Sequence, residues 1–353
     1  MLQRSPHARA RRHSGWRRRA VVTGVLLAGL VTTVLVSAQW GQFTTSTADV
    51  LGSLERAVTG NWGPETQLVD ATLWNIRFPR IVLACIVGAC LGIGGALMQG
   101  VFGNPLAEPG VIGVTSGAAV GACAAIVFGT GTGLQVPAAA FAGGLLVSAL
   151  VYALSRSGRR SMVLTLVLTG IAINAVAGAL ISFFTFLADT TSRETIIFWQ
   201  MGSLNGATWH AVALTGSIGG VGVFCALLLW RRLDVLALGE SAARHTGVHV
   251  ERLRGLVIVL VALTSAAAVA FAGLIGFIGL VVPHALRLVL GPSHAALLPL
   301  SALGGAVLLS VADVVARNVV PYADLPIGIF TALVGGPVFF VLLRTTLKRQ
   351  GVL

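Results

Sequence analysis

The sequence predicts an all-α membrane protein that crosses the bilayer about ten times. Hydrophobic residues fill 56% of its 353 positions and charged residues only 10%, against about 25% charged in a soluble domain. Twelve acidic and 24 basic side chains are too few to coat a water-exposed surface of this size. Apolar runs of roughly 15 or more residues, nearly free of charge, recur along the whole chain. With ten such runs, 19 of the 24 basic residues fall on the side that holds both termini and 5 on the other. That asymmetry predicts cytoplasmic termini.

The first run, 20–38, follows the basic tail 1–19, whose Arg17, Arg18 and Arg19 suit an anionic lipid surface rather than nucleic acid. At 19 residues it exceeds the usual apolar region of a signal peptide, so a retained span is expected, with a cleaved signal as the alternative. The second run, 81–101, begins after Arg77-Phe78-Pro79-Arg80. The third covers 109–128. Asn104-Pro105 and Pro109 bracket the break before it, because proline disfavours helix at the preceding residue, and predict a tight cytoplasmic connection. Runs four to six cover 134–155, 161–188 and 208–230.

The polar stretch 231–254 is the longest charged connector, and Gly239 and Gly247 divide it into two short helical pieces. A plain linker and a docking surface for a soluble partner both fit it. Runs seven to ten cover 255–275, 277–290, 294–316 and 325–343; the stretch 271–290 reads as one helix or two. The domain organisation is therefore a single membrane unit, 20–343, flanked by tails 1–19 and 344–353. Gly88 and Gly92, then Gly113, Gly117 and Gly121, carry the small-residue spacing of closely packed membrane helices, and Gly273, Gly276 and Gly279 recur every three residues. Trp40, Trp62, Trp74, Trp199 and Trp209 fall near the non-cytoplasmic ends, as an aromatic belt does.

Several chemistries are excluded. The single lysine, Lys348, rules out a GxxxxGK[ST] phosphate loop, so ATP is not bound in that manner. There is no HExxH and no CxxC. Cys85, Cys90, Cys123 and Cys225 sit in apolar runs and read as small core residues. His245 and His249 stand at i, i+4 without a third ligand, so no metal is expected. The acids Asp49, Glu55, Glu65 and Asp70 are scattered without a partnering base, which disfavours a membrane enzyme. No ionisable group is expected at mid-depth, which disfavours the rival reading of an ion-coupled secondary transporter. The energy source has to lie elsewhere.

Five blocks converge on a known family. They are RFPR (77–80), GALMQGVFGNPLAEPGVIGVTSGA (95–118), LGESAARHTGV (238–248), AGLIGFIGLVVPHALR (272–287) and LPIGIFTALVGGPVFFVLL (325–343). Together they resemble the FecCD/BtuC-type permeases, the membrane half of type II ABC importers for ferric siderophores, haem and vitamin B12. The resemblance implies ten helices and a dimer, with itself or a paralogue, around a central path in the cytoplasmic membrane of a prokaryote. It implies two cytoplasmic ABC ATPase subunits that carry ATP and magnesium, an extracytoplasmic substrate-binding protein, and no cofactor on this chain. It assigns ATPase coupling to Gly239, Glu240, Arg244 and Gly247. Docking of the binding protein is assigned to Arg77, Arg80 and Arg317, three of the five basic residues on the outer side and each beside a helix end, where a guanidinium can pair with a carboxylate. Ferric siderophore, the commonest cargo of the family, leads, with cobalamin and haem as alternatives.

Overall fold

The computed structural model describes residues 6–129, 133–157, 160–161, 163–320 and 323–349. Each predicted run is a helix: α1 (Pro6–Gln39), α4 (Phe78–Phe102), α5 (Val114–Phe128), α6 (Gln135–Leu154), α7 (Val163–Leu187), α9 (Trp209–Leu227), α12 (Val250–Ala272), α13 (Ile278–Leu290), α14 (His294–Val319) and α15 (Ile327–Arg349). Eight are long and apolar enough to cross a membrane, and α5 and α13 are shorter apolar helices. Five more helices, α2 (Thr47–Thr59), α3 (Gln67–Thr72), α8 (Thr190–Met201), α10 (Trp230–Leu236) and α11 (Glu240–His245), lie in the connectors. Apart from a two-residue β ladder pairing Arg156–Ser157 with Arg160–Ser161, the described chain is helical or irregular.

Alternating crossings give two faces. The terminal face holds the start of α1, the end of α15, and α10 with α11. The far face holds α2, α3 and α8. Arg18 Nη1 donates to Val289 O at the end of α13, 2.8 Å away, which ties α1 to the core on the terminal face.

The centre is α4, packed against α14, α12, α9 and α13. Lipid offers no hydrophobic drive for helices to associate, so close backbone approach and dispersion must hold them together. Small residues make that approach possible. A β-carbon on Gly88 would overlap the backbone of Gly305 in α14, and one on Gly95 would overlap Gly279 in α13. The regular spacing of Gly273, Gly276 and Gly279 has a different meaning from the one expected. Only Gly279 is helical; Gly273 and Gly276 lie in a break that divides 271–290 into two elements. Phe277 closes that break in a left-handed conformation, φ 68°. The helices at the edge, α1, α7 and α15, leave most of their apolar side chains uncovered by the rest of the chain.

The connector helices on the far face are too short and too polar to read as spans, yet their caps are written in the sequence. Ser46 and Asp49 form a reciprocal box at the start of α2, with Ser46 N donating to Asp49 Oδ2 at 2.8 Å and Asp49 N to Ser46 Oγ at 3.1 Å. Those bonds, the Ser46 backbone N–H first, hold the Asp49 carboxyl below the usual carboxylate range. Asp189 caps α8 through Ser192 N at 2.7 Å. Trp74 and Trp209 stack with centroids 6.3 Å apart on this face, where the aromatic belt was expected.

Candidate functional site

On the terminal face α10 and α11 form a helix–turn–helix that packs on the membrane bundle through Leu233, Leu236 and Ala243. Gly239 makes the turn at φ 109°, ψ 154°, a region open in practice only to glycine. Gly247 leaves α11 at φ 83°. Both glycines expected from the sequence therefore punctuate short helices as predicted. Glu240 opens α11 and Arg244 with His245 closes it, each sign at the end the helix dipole favours. The Glu240 carboxylate receives Arg244 Nη2 at 3.4 Å and Arg254 Nη2 in close contact. Arg254 belongs to α12, is buried, and also pairs with Glu251 at 3.2 Å, so it fastens α11 to the bundle. Arg244 stays about half exposed.

Two residues not singled out from the sequence complete this face. Asp234 of α10 reaches the start of α14: His294 N donates to its Oδ1 at 2.6 Å, and His294 Nδ1 stands 2.9 Å from the same oxygen. Ser293 Oγ lies 3.3 Å from Oδ2. Ser293 itself makes no capping bond, so Asp234 caps α14 from another helix. Leu238 projects from the turn 77% exposed, an apolar side chain between polar neighbours. In the sequence Asp234 looks like one more charge in a basic linker, and only the fold reveals its partner.

The far face departs from expectation. Arg77, Arg80 and Arg317 lie at its level, but they turn inward, and the residues are 4%, 7% and 6% exposed. Arg77 donates to Ala38 O at 2.5 Å, to Thr45 Oγ1 at 2.6 Å, and in close contact to Phe43 O. Arg80 Nε donates to Asp313 Oδ1 at 2.9 Å and Arg80 Nη1 to Asp324 Oδ2 at 2.7 Å. Arg317 Nη2 donates to Ser37 O at 2.6 Å and Ser37 Oγ at 2.8 Å. The cluster ties the ends of α1, α4 and α14 together. In this arrangement the chain itself supplies the carboxylates and carbonyls that a desolvated guanidinium needs. Asp313, expected close to a helix end, instead sits six residues inside α14, which runs on to Val319.

A groove of about 480 Å³ runs between α5 and α7. Its polar wall gathers where the short turn Pro109–Ile112 precedes α5. Asn174, at the midpoint of α7, accepts from Ser116 Oγ at 2.6 Å and donates through Nδ2 to Gly110 O at 3.3 Å. The α4–α5 connection is therefore more than a tight surface link, since it climbs to the middle of α7. It carries Glu108 into the groove, alongside Val167 and Ile171. An ionisable group inside the bundle was not expected from the sequence, because Glu108 sits in a connector and only the return of that connector brings it inward.

Among the described residues no group of three or more His, Cys, Asp or Glu side chains is placed to hold a metal. The four cysteines are free thiols, buried or half-buried.

The sequence profile of the FecCD transport family matches residues 26–345. The cobalamin import system permease protein BtuC of Halobacterium salinarum is 45% identical over 283 residues, 80% of this chain and 75% of the relative. The hemin transport system permease protein HmuU of Yersinia pestis is 39% identical over 310 residues, 85% of this chain and 92% of the relative. A metal-chelate type ABC transporter solved in an inward-facing conformation superposes with a TM-score of 0.81 at 34% identity, covering 92% of this chain and 99% of that one.

Proposed function

We propose, since the chain belongs to the FecCD transport family, that this multi-pass membrane permease is the path-forming subunit of an importer for a bulky metal chelate. A cobalamin-like corrinoid leads as cargo, haem follows, and ferric siderophore gives up the first place it held on sequence grounds. The support for that order is the cobalamin relative at 45% identity and the hemin relative at 39%.

The observation that carries the mechanism is the α10–α11 face. It is exposed, punctuated by Gly239 and Gly247, and fastened at two points, through Arg254 to α12 and through Asp234 to the start of α14. We assign this face to an ABC ATPase subunit on the cytoplasmic side, with Leu238 seated in the partner and Arg244 at the rim. Closure of the ATP-loaded pair moves α10 and α11, and the two tethers pass that motion to α12 and α14. α14 packs on α4 by direct backbone contact, so a tilt of one carries the other. The edge helices α7 and α15 face a second permease subunit, a copy or a paralogue, across the path. The substrate-binding protein docks on the far face over α2 and α8, with Arg77, Arg80 and Arg317 as the frame beneath.

Uptake of labelled cobalamin, haem and a ferric siderophore in cells with and without this chain tests the reading. Cobalamin uptake that disappears with the chain and with ATP depletion is expected. Undiminished uptake of all three refutes it, and loss of siderophore uptake alone returns that cargo to the lead.

A further inference from the structure

The groove between α5 and α7 holds an acid, Glu108. Among the described residues no hydrogen bond or ion pair of the Glu108 carboxylate is found. Its Oε1 and the Oγ1 of Thr115 each lie 3.4 Å from where a β-carbon on Gly110 would stand, so the two oxygens flank that glycine in the groove wall. Asn174 and Ser116 are bonded to each other and to the same turn. The opposite wall is apolar, and Ile171 in it is 62% exposed. The groove therefore opens on a side of α7 that the other described helices leave exposed.

Glu108 is half-buried in the groove wall, and a bound group that brings N–H or O–H donors gives its carboxylate a partner. An anionic group there adds repulsion at short range instead. The fixed hydroxyls and amide can exchange hydrogen bonds with a neutral polar rim. The apolar wall suits a flat or hydrocarbon body.

We infer that Glu108, Thr115, Ser116 and Asn174 form a cargo-contact subsite that selects chelates rimmed by neutral amides over chelates carrying carboxylates at the same positions. The inference rests on the importer reading above and deepens it, because it names the cargo feature the path itself reads. Glu108 accepts from the cargo's amide N–H groups, and Asn174 with Ser116 and Thr115 lines the place where such a rim passes. A primary-amide-edged corrinoid fits. A macrocycle with free propionates is disfavoured by Glu108.

The test uses the full transporter, with its ATPase and binding protein, in proteoliposomes. Initial uptake is compared for labelled cobalamin and for cobalamin in which one peripheral amide has been hydrolysed to carboxylate. The readout is the ratio of the two rates, which a general loss of folded protein leaves unmoved. The unsubstituted transporter is expected to favour the amide form. Glu108→Gln is expected to shrink that preference about tenfold, the size of one charge-assisted contact. Asn174→Ala is expected to slow both forms while preserving their ratio. Ser217→Ala, on the outer side of α9 and remote from the groove, serves as the control. An amide-to-acid ratio identical in the Glu108→Gln and unsubstituted transporters overturns the inference while leaving the importer reading intact. Absence of any cobalamin uptake by the unsubstituted transporter refutes the cargo reading and the inference together.

Discussion

At its far end α14 carries Asp313 and Arg317 inside the protein, while at the terminal end it receives Asp234 from a helix on the surface. The far end is closed on itself: Arg80 is shared between Asp313 and Asp324, and Arg317 is held by Ser37 with its Nε 4.0 Å from Asp313 Oδ2. At the terminal end the charges of Glu240 and Arg244 remain half exposed, while Arg254 is buried. A buried ion pair adds little net stability over apolar packing, but removing one member leaves an uncompensated charge. A half-exposed pair is screened by water and adds little either way. The far end is thus built to keep three helices in one arrangement, and the terminal end is built to be gripped and moved.

The largest effect is expected at the closed end. Asp313→Ala leaves Arg80 and Arg317 buried with one fewer carboxylate, and about 3–5 kcal/mol of stability should be lost. Thermal unfolding of the detergent-solubilised protein measures it. A melting temperature equal to that of the unsubstituted protein would show the cluster to be open to solvent and would restore its arginines as candidate contacts for the binding protein. Charge reversal at Arg77, Arg80 and Arg317 together sharpens the same point. Loss of folded protein supports the frame, whereas a folded transporter that fails only to dock supports rim contacts.

Next in size is the seam between the two ends. Gly88→Val places side-chain atoms where the backbone of Gly305 lies, and overpacking of this kind costs about 1–3 kcal/mol. The α4–α14 contact then has to open, so both the melting temperature and ATP-driven uptake should fall. Normal uptake with a lowered melting temperature would separate packing from transmission and break the proposed path from α14 to α4.

Asp234→Ala removes the borrowed cap of α14 at a cost of about 1 kcal/mol. Its consequence for transport should exceed its consequence for stability, because it frees α10 from the helix it is meant to move. ATPase activity that persists while uptake falls is the expected signature; parallel loss of both contradicts a tether role.

These contrasts also mark what the sequence could and could not disclose. The ten helices were legible because lipid demands about 20 apolar residues per crossing and the chain has few charges to confuse the pattern. Gly239 and Gly247 were legible because a polar connector broken by glycines uses the positive-φ backbone that glycine adopts freely. The direction in which Arg77, Arg80 and Arg317 point was not, since position beside a helix end fits an outward and an inward guanidinium equally. The inward choice depends on distant partners: Asp313 and Asp324, more than 230 residues away, for Arg80, and Ser37, 280 residues away, for Arg317. Glu108 was hidden by the same non-locality, as a connector residue that becomes interior only when Asn174 of α7 receives Gly110.

The smallest stability effect is expected at Arg244. Its pair with Glu240 spans one helical turn at 3.4 Å with both side chains about half exposed, worth no more than about 0.5 kcal/mol. Arg244→Ala should therefore leave the melting temperature nearly unchanged. It should also free the Glu240 carboxylate to bind Arg254 alone, which keeps α11 seated. What it removes is a positive charge at the rim of the gripped face, and such charges govern the rate of encounter more than final affinity. Association with the ATPase subunits should slow at low ionic strength and converge with the unsubstituted protein as salt rises past the range where screening reaches about 8 Å. A drop in melting temperature as large as that of Asp234→Ala would place Arg244 with the closed end of the molecule. Association kinetics indifferent to both the substitution and salt would remove it from the gripped face.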